Sequence, residues 1–310
     1  MAARSQSHNR LTSGASRKVY CSRGVAQPGS APDWGSGGRR FESCRLDKKR
    51  RPSPKAVRAD ESQRMRPLVL CSNDDGIDSP LLVGLADRIA AFADVLVVAP
   101  ERQRSAASHA ITLHKPLRIT TVGPNRFALS GTPADCVYLG MLRLASRPPT
   151  LVVSGINAGF NLGTDVFYSG TVAAAIEGAL RGSVGMAISM APNVAEPASA
   201  IGFAARVIEA ALQTTLPAGV VYNVNIPPSH GASPLQHRWT RLGRRRYADD
   251  VAERHDPMGR PYYWIGGGVV GHDAVVDGDC DAVALGYASI TAMRLDLSDT
   301  AAIAAPPFLP

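Results

Sequence analysis

The stretch Pro67-Leu68-Val69-Leu70-Cys71-Ser72-Asn73-Asp74-Asp75-Gly76-Ile77-Asp78 sets the fold. Five residues without a charge, ending abruptly in a polar loop, read as a strand buried on both faces. Pro80 to Phe92 follows with Leu81, Leu82, Leu85, Ile89 and Phe92 near helical spacing, and Asp94-Val95-Leu96-Val97-Val98-Ala99 is a second buried strand. Strand, helix and strand in that order predict a parallel pair joined by a right-handed crossover.

Working toward the C-terminus, Leu117–Thr121 and Arg126–Ser130 form a predicted hairpin around Gly123-Pro124-Asn125. Thr132-Pro133-Ala134-Asp135 has the cap, the first-turn proline and the acidic residue of a helix start. Further strands are expected at Thr150–Val153, Gly185–Ser189 and Val220–Ile226, with helices over Gly170–Leu180 and Pro197–Leu212. The expected class is α/β: a Rossmann-like open, mostly parallel sheet with helices on both faces, spanning residues 66–227. From about Pro227 the texture changes. Arg241–Arg246, Pro261-Tyr262-Tyr263-Trp264 and Gly266-Gly267-Gly268 suggest extended hairpins or an arm within 228–310, and Ala282–Met293 reads as a closing strand.

Toward the N-terminus the chain is a different material. The net charge of +8 is unevenly distributed: residues 1–65 hold 15 Lys/Arg against 5 Asp/Glu, and residues 66–310 hold 19 against 21. The folded part is therefore slightly acidic, which argues against a specific nucleic-acid partner. Residues 1–65 read as a disordered basic extension. Gly24-Val25-Ala26-Gln27-Pro28-Gly29-Ser30 through Arg39-Arg40-Phe41-Glu42-Ser43-Cys44 resembles a translated transfer-RNA gene, so Met65 is the expected true start. Cys21, Cys44, Cys71, Cys136 and Cys280 lack disulfide or metal spacing, and no stretch reaches the roughly 18 apolar residues of a membrane span. A cytoplasmic protein without a membrane segment is expected.

Ligands of an open parallel sheet sit beyond the carboxyl ends of its strands. Three such ends carry unusual loops: Ser72–Asp78, Pro100-Glu101-Arg102-Gln103-Arg104-Ser105 and Ser154-Gly155-Ile156-Asn157-Ala158-Gly159-Phe160-Asn161-Leu162-Gly163. Adjacent carboxylates repel unless a cation or proton compensates. Asp74 and Asp75, with oxygens from Ser105 and Asn157, would make an open, oxygen-rich site suited to one Mg²⁺ or Mn²⁺ per subunit. Taken alone, the pair reads more readily as an Asp-Asp-Gly turn with solvated carboxylates, since Asp-Gly is a common turn pair. Tyr168-Ser169-Gly170-Thr171 opens a helix and offers amides and hydroxyls to an anion, though it also reads as an ordinary cap. His109 fits an acid or base, but a lone His is more often a hydrogen-bonded loop residue.

These strings, in order, resemble the SurE (survival protein E) 5'-nucleotidase family: Ser72–Ile77; Ala99-Pro100 with Ser105 and Ser108 before Ile111-Thr112; Gly131–Val137; Ser154–Gly159; Tyr168–Val172; Asn223-Val224-Asn225-Ile226-Pro227; Arg241-Leu242-Gly243; Asp256-Pro257 through Trp264; and Gly286-Tyr287 with Ser289-Ile290-Thr291. The resemblance implies that Asp74, Asp75, Ser105 and Asn157 are metal ligands and that Asn161, Ser169, Gly170 and Thr171 line a phosphate pocket. It implies hydrolysis of nucleoside 5'-monophosphates, with 3'-monophosphates and polyphosphate as further substrates. Metal-activated water would attack in line, and Asp74 or Asp75 would orient that water or take its proton. It also implies a homodimer or homotetramer built through the C-terminal arm.

Departures from the family pattern are Ala106 in place of a usual Gly, Gly278-Asp279-Cys280-Asp281 for Gly-Thr-Asp, and changes at Ala288 and Ala292-Met293. Two rival readings remain. One is a covalent phosphatase using Asp74, although position 76 is Gly and Lys115 is the only Lys after residue 55. The other is a non-enzymatic nucleotide- or RNA-binding module that uses the basic tail.

Overall fold

The computed structural model describes residues 65–194, 196–228, 235–248, 250–266, 268–299 and 303. The expectation for residues 1–64 lies outside the described residues. The architecture rests on nine strands hydrogen-bonded in the order β3-β4-β2-β1-β5-β6-β7-β13-β8. They are β1 (Leu68–Ser72), β2 (Asp94–Pro100), β3 (Ile119–Gly123), β4 (Arg126–Leu129), β5 (Leu151–Ala158), β6 (Val184–Met190), β7 (Val220–Ile226), β8 (His237–Thr240) and β13 (Ala288–Arg294). From β4 to β7 every neighbouring pair is parallel. β3 returns antiparallel to β4, and β13 antiparallel to β7. The chain is thus a mostly parallel, Rossmann-like α/β fold, as its alternating pattern predicts.

Alternation along β1 shows why its run is continuously apolar. Val69 and Cys71 join one core cluster with Leu82, Leu85 and Ile89 of α1 (Pro80–Ile89) and Phe203, Ala204 and Ile208 of α4 (Ala198–Leu212). Leu68 and Leu70 face the other way, toward Cys136 and Val137 of α2 (Pro133–Leu139) and Ala174 of α3 (Gly170–Leu180). Successive strand residues point to opposite faces, and helices cover both.

Helix starts follow their local chemistry. Thr132 accepts from Asp135 N at 3.1 Å while Asp135 Oδ2 accepts from Thr132 N at 2.9 Å, a reciprocal cap with Pro133 in the first turn. A π-helical turn, Gly140–Leu144, prolongs α2.

Three details differ from the sequence reading. α1 ends at Ile89 rather than Phe92. β5 runs on to Ala158, with its register to β6 shifting between Ser154 and Asn157, so half of the expected loop is strand. Gly155 makes this possible, because a Cβ there would stand 2.3 Å from Ile188 O. Ala282–Ala284 are not strand but belong to α5 (Asp279–Ala284), whose turn precedes β13.

After Pro227 the chain both completes the sheet, through β8 and β13, and leaves it. β9 (Arg244–Tyr247) pairs with β12 (Val269–Asp273), and β10 (Asp250–His255) pairs antiparallel with β11 (Pro261–Gly266). On this last hairpin Val251, Tyr262, Tyr263, Trp264 and Ile265 are exposed. Among the described residues no helix is long and apolar enough to cross a membrane.

Candidate active site

A cavity of about 750 Å³ opens at the carboxyl ends of β1 and β5, where a parallel sheet is expected to bind its ligand. Asp74, Ser105, Asn157, Asn161 and Ser169 line it together, although up to 95 residues of chain separate them. Asp75 does not line it. It lies half-buried beside Asp74, and Gly170 and Thr171 are buried at the start of α3.

Asp74 is only 8% exposed. Burial pushes its carboxyl above the usual aspartate range, and the Thr171 hydroxyl, donating to Oδ1 at 2.5 Å, pulls the other way. The Asp75 carboxyl is also raised, first by burial and then by the charge of Asp74. Two neighbouring carboxyls displaced upward are relieved by a proton or by a cation alike.

The other donors are arranged to leave oxygen free. Asn157 Nδ2 donates to Gly159 O at 2.8 Å, which aims its Oδ1 elsewhere. Ser105 Oγ accepts from Gln103 Nε2 at 3.0 Å. Among the described residues no group of three or more His, Cys, Asp or Glu could hold a metal. A cation here would rely on Asp74, with Asp75 half-buried beside it, and on neutral oxygens, the donor set of a hard ion that keeps part of its water. The residues fit Mg²⁺ or Mn²⁺.

At the start of α3, Ser169 Oγ accepts from Val172 N at 3.1 Å, so its own proton is free to point into the cavity. Thr171 spends its hydroxyl on Asp74. Asn161 faces the cavity but donates Nδ2 to Ser189 Oγ at 2.7 Å.

Several residues here escaped the sequence reading. Asn225 grips the backbone of Asn161 twice, accepting from its N at 2.8 Å and donating to its O at 3.0 Å, while Asn223 donates to the same oxygen at 2.8 Å. Both asparagines are fully buried on β7, and a buried amide with two partners replaces the strand that Asn161 lacks. Both fall within the family-like string Asn223–Pro227, but nothing in that string tells which backbone they hold. Arg245 and Tyr247 of β9 form another wall. Both bind Asp165 of the 3₁₀ turn Gly163–Phe167, the Tyr247 hydroxyl at 2.7 Å. The base of the β10–β11 hairpin, through Asp250, Val251, Ile265 and Gly266, completes the rim. His109 does not line the cavity.

Comparison with known proteins gives this arrangement a family. The sequence model described as survival protein SurE matches residues 69–249. The chain belongs to the SurE family. It is 46% identical over 239 residues to the 5'-nucleotidase SurE of Sorangium cellulosum, covering 75% of this chain and 92% of that protein. It is 48% identical over 233 residues to the protein of the same name from Anaeromyxobacter dehalogenans strain 2CP-C, covering 74% and 90%. The crystal structure of the SurE protein from Aquifex aeolicus superposes with a TM-score of 0.70 at 35% identity, covering 77% of this chain and 98% of that one. The SurE match includes Asp74, Asp75, Ser105, Asn157, Asn161 and Ser169 and extends past β9, so the cavity wall formed by Arg245 and Tyr247 lies within it.

Proposed function

We propose that this SurE chain is a 5'-nucleotidase, a metal-dependent phosphomonoester hydrolase acting on nucleoside 5'-monophosphates. The observation that carries the reading is the buried Asp74 carboxylate at the end of β1, facing one cavity with Ser105, Asn157 and the Ser169 cap of α3. The names of its relatives agree with it.

Asp74, Asp75, Ser105 and Asn157 would hold the cation. When bound, a divalent ion supplies positive charge against phosphoryl oxygens and acidifies water. The free Ser169 proton offers a donor to a phosphoryl oxygen in the same cavity, which Asn161 also lines, while Arg245 is held by Asp165 and Gly170 lets the start of α3 approach Asp74. Asp74 or Asp75 orients the attacking water or takes its proton on a carboxylate oxygen. The cavity's volume of about 750 Å³ leaves space for a nucleoside beyond the phosphate, and the same reading extends to 3'-monophosphates and polyphosphate. The exposed Tyr262-Tyr263-Trp264 strip on β11 supports a homodimer or homotetramer, and the buried, unpaired Cys71, Cys136 and Cys280 suit the reducing cytoplasm.

Phosphate release from AMP, with and without EDTA, tests the reading. Release abolished by EDTA and restored by Mn²⁺ or Mg²⁺ is expected; release indifferent to EDTA would overturn the metal mechanism.

A further inference from the structure

Ser105 lies on a segment, residues 101–118, that has no regular structure of its own. Ala106 and Ser108 adopt φ of 54° and 47°, a left-handed conformation that costs L-residues energy and has to be enforced by neighbours. The enforcing contacts lie on either side. Upstream, Arg104 N donates to Asp74 O at 2.7 Å. Downstream, Ser108 N and Oγ donate to Tyr168 O and Phe167 O at 3.2 and 2.7 Å. Next to it His109 Nε2 meets Glu177 Oε2 at 2.9 Å.

Glu177 is the unusual partner. It lies in the middle of Gly170-Thr171-Val172-Ala173-Ala174-Ala175-Ile176-Glu177-Gly178-Ala179-Leu180, a helix otherwise built of small and apolar residues, and is 4% exposed. Arg181 Nε donates to its other oxygen at 2.6 Å, and the Arg181 guanidinium rests 3.6 Å over the Tyr138 ring of α2. Burial pushes the Glu177 carboxyl up, but the hydrogen bonds and charges of His109 and Arg181 outweigh it and hold the group below its ordinary range. An ionised carboxylate only accepts, so Nε2 of His109 carries the proton. A buried carboxylate is retained at a cost unless its partners are in place. Two strong partners that converge on one helix position make a rigid anchor.

We propose that His109 is a positioning residue: its bond to Glu177 latches the Ser105 loop onto α3, fixing Ser105 relative to the Ser169 cap. The latch rests on the reading of Ser105 as a cation ligand. It joins the loop that would bear a metal ligand to the helix whose start faces the phosphate, so both ends of the site move as one body.

The test uses the full chain with His109→Ala and His109→Gln, the latter keeping an N–H donor. Hydrogen exchange of peptides within 101–111 and Mn²⁺ binding by calorimetry are compared with wild type. His109→Ala should speed exchange at the Arg104 and Ser108 amides and weaken Mn²⁺ about tenfold, the scale of lost second-sphere support. His109→Gln should recover most of both. A His109→Ala protein with a lowered melting temperature but wild-type exchange and Mn²⁺ affinity refutes the latch. If it does not fold, His109→Asn, too short to reach Glu177, takes its place. Wild-type protein that binds no Mn²⁺ sinks the cation reading, while loop exchange still decides the latch.

Discussion

Thr171 Oγ1 donates to Asp74 Oδ1 at 2.5 Å, binding the first turn of α3 to the end of β1. The approach is so close that a Cβ on Gly170 would stand 3.0 Å from Asp74 Cβ and 3.1 Å from its Oδ2. The hydroxyl opposes the upward pull of burial on the Asp74 carboxyl. Thr171→Val keeps the shape and removes that donor from a buried, charged acceptor, which costs about 1–3 kcal/mol. The variant should melt lower and hydrolyse AMP more slowly. Wild-type values for both would show that the bond does not support the site.

Among the described residues Asp75, unlike Asp74, has no side-chain hydrogen bond to hold its charge; burial and its neighbour both push its carboxyl up. Asp75→Asn removes one of two repelling charges, so the apo fold should be kept or slightly strengthened. Phosphate release should fall at least a hundredfold and Mn²⁺ binding should weaken. Calorimetry beside an AMP assay checks this; an active Asp75→Asn enzyme would be incompatible with the proposed mechanism.

Ala106 has a φ of 54°, a backbone conformation that glycine adopts without steric cost. A Cβ in this region costs roughly 1–2 kcal/mol, partly offset by the greater freedom glycine gives the unfolded chain. Ala106→Gly should therefore stabilise the protein by up to about 1 kcal/mol, raising the melting temperature by a few degrees. Calorimetric melting that shows a decrease would contradict this account of the loop.

Glu177 gives a pH signature. Its folded carboxyl lies below the ordinary range. The stabilisation it brings is therefore complete above the unfolded value and is lost as pH falls through the lower folded one. Glu177→Gln should flatten the acid limb of the stability curve below the ordinary glutamate value while changing its slope little near neutrality. Urea unfolding across that range measures it, and an unchanged acid limb would count against Glu177 as its source.

Residues 1–64 hold an excess of ten positive charges, whereas residues 66–310 carry a slight negative excess. Every residue that lines the cavity lies between Asp74 and Gly266, and Met65 stands three residues before Leu68, the start of β1. We expect protein beginning at Met65 to match the full chain in AMP hydrolysis and melting temperature. The full chain should bind nucleic acid only through salt-sensitive contacts. A large loss of rate on truncation would refute dispensability.

Much of the parallel core was legible because its signals are local. Continuous apolar runs marked β1 and β2, the Thr132 cap marked α2, and the predicted bounds Gly170 and Leu180 are those of α3. The polar loops at strand ends pointed to Asp74, Ser105 and Asn157 because open parallel sheets bind ligands there. Other features needed the tertiary structure. Asn225 reaches Asn161 across 64 residues, Arg245 reaches Asp165 across 80 and His109 reaches Glu177 across 68. β8 joins the sheet from a region whose composition reads as an arm, and the strand read at Ala282–Met293 takes its place there as β13, antiparallel to β7. The sequence by itself determined which segments are strands and helices and where the parallel sheet would bind, since propensity, capping and apolar period act over a few residues. Which polar side chains meet was decided only by tertiary structure, because a buried hydrogen bond depends on two backbones brought together from distant parts of the chain.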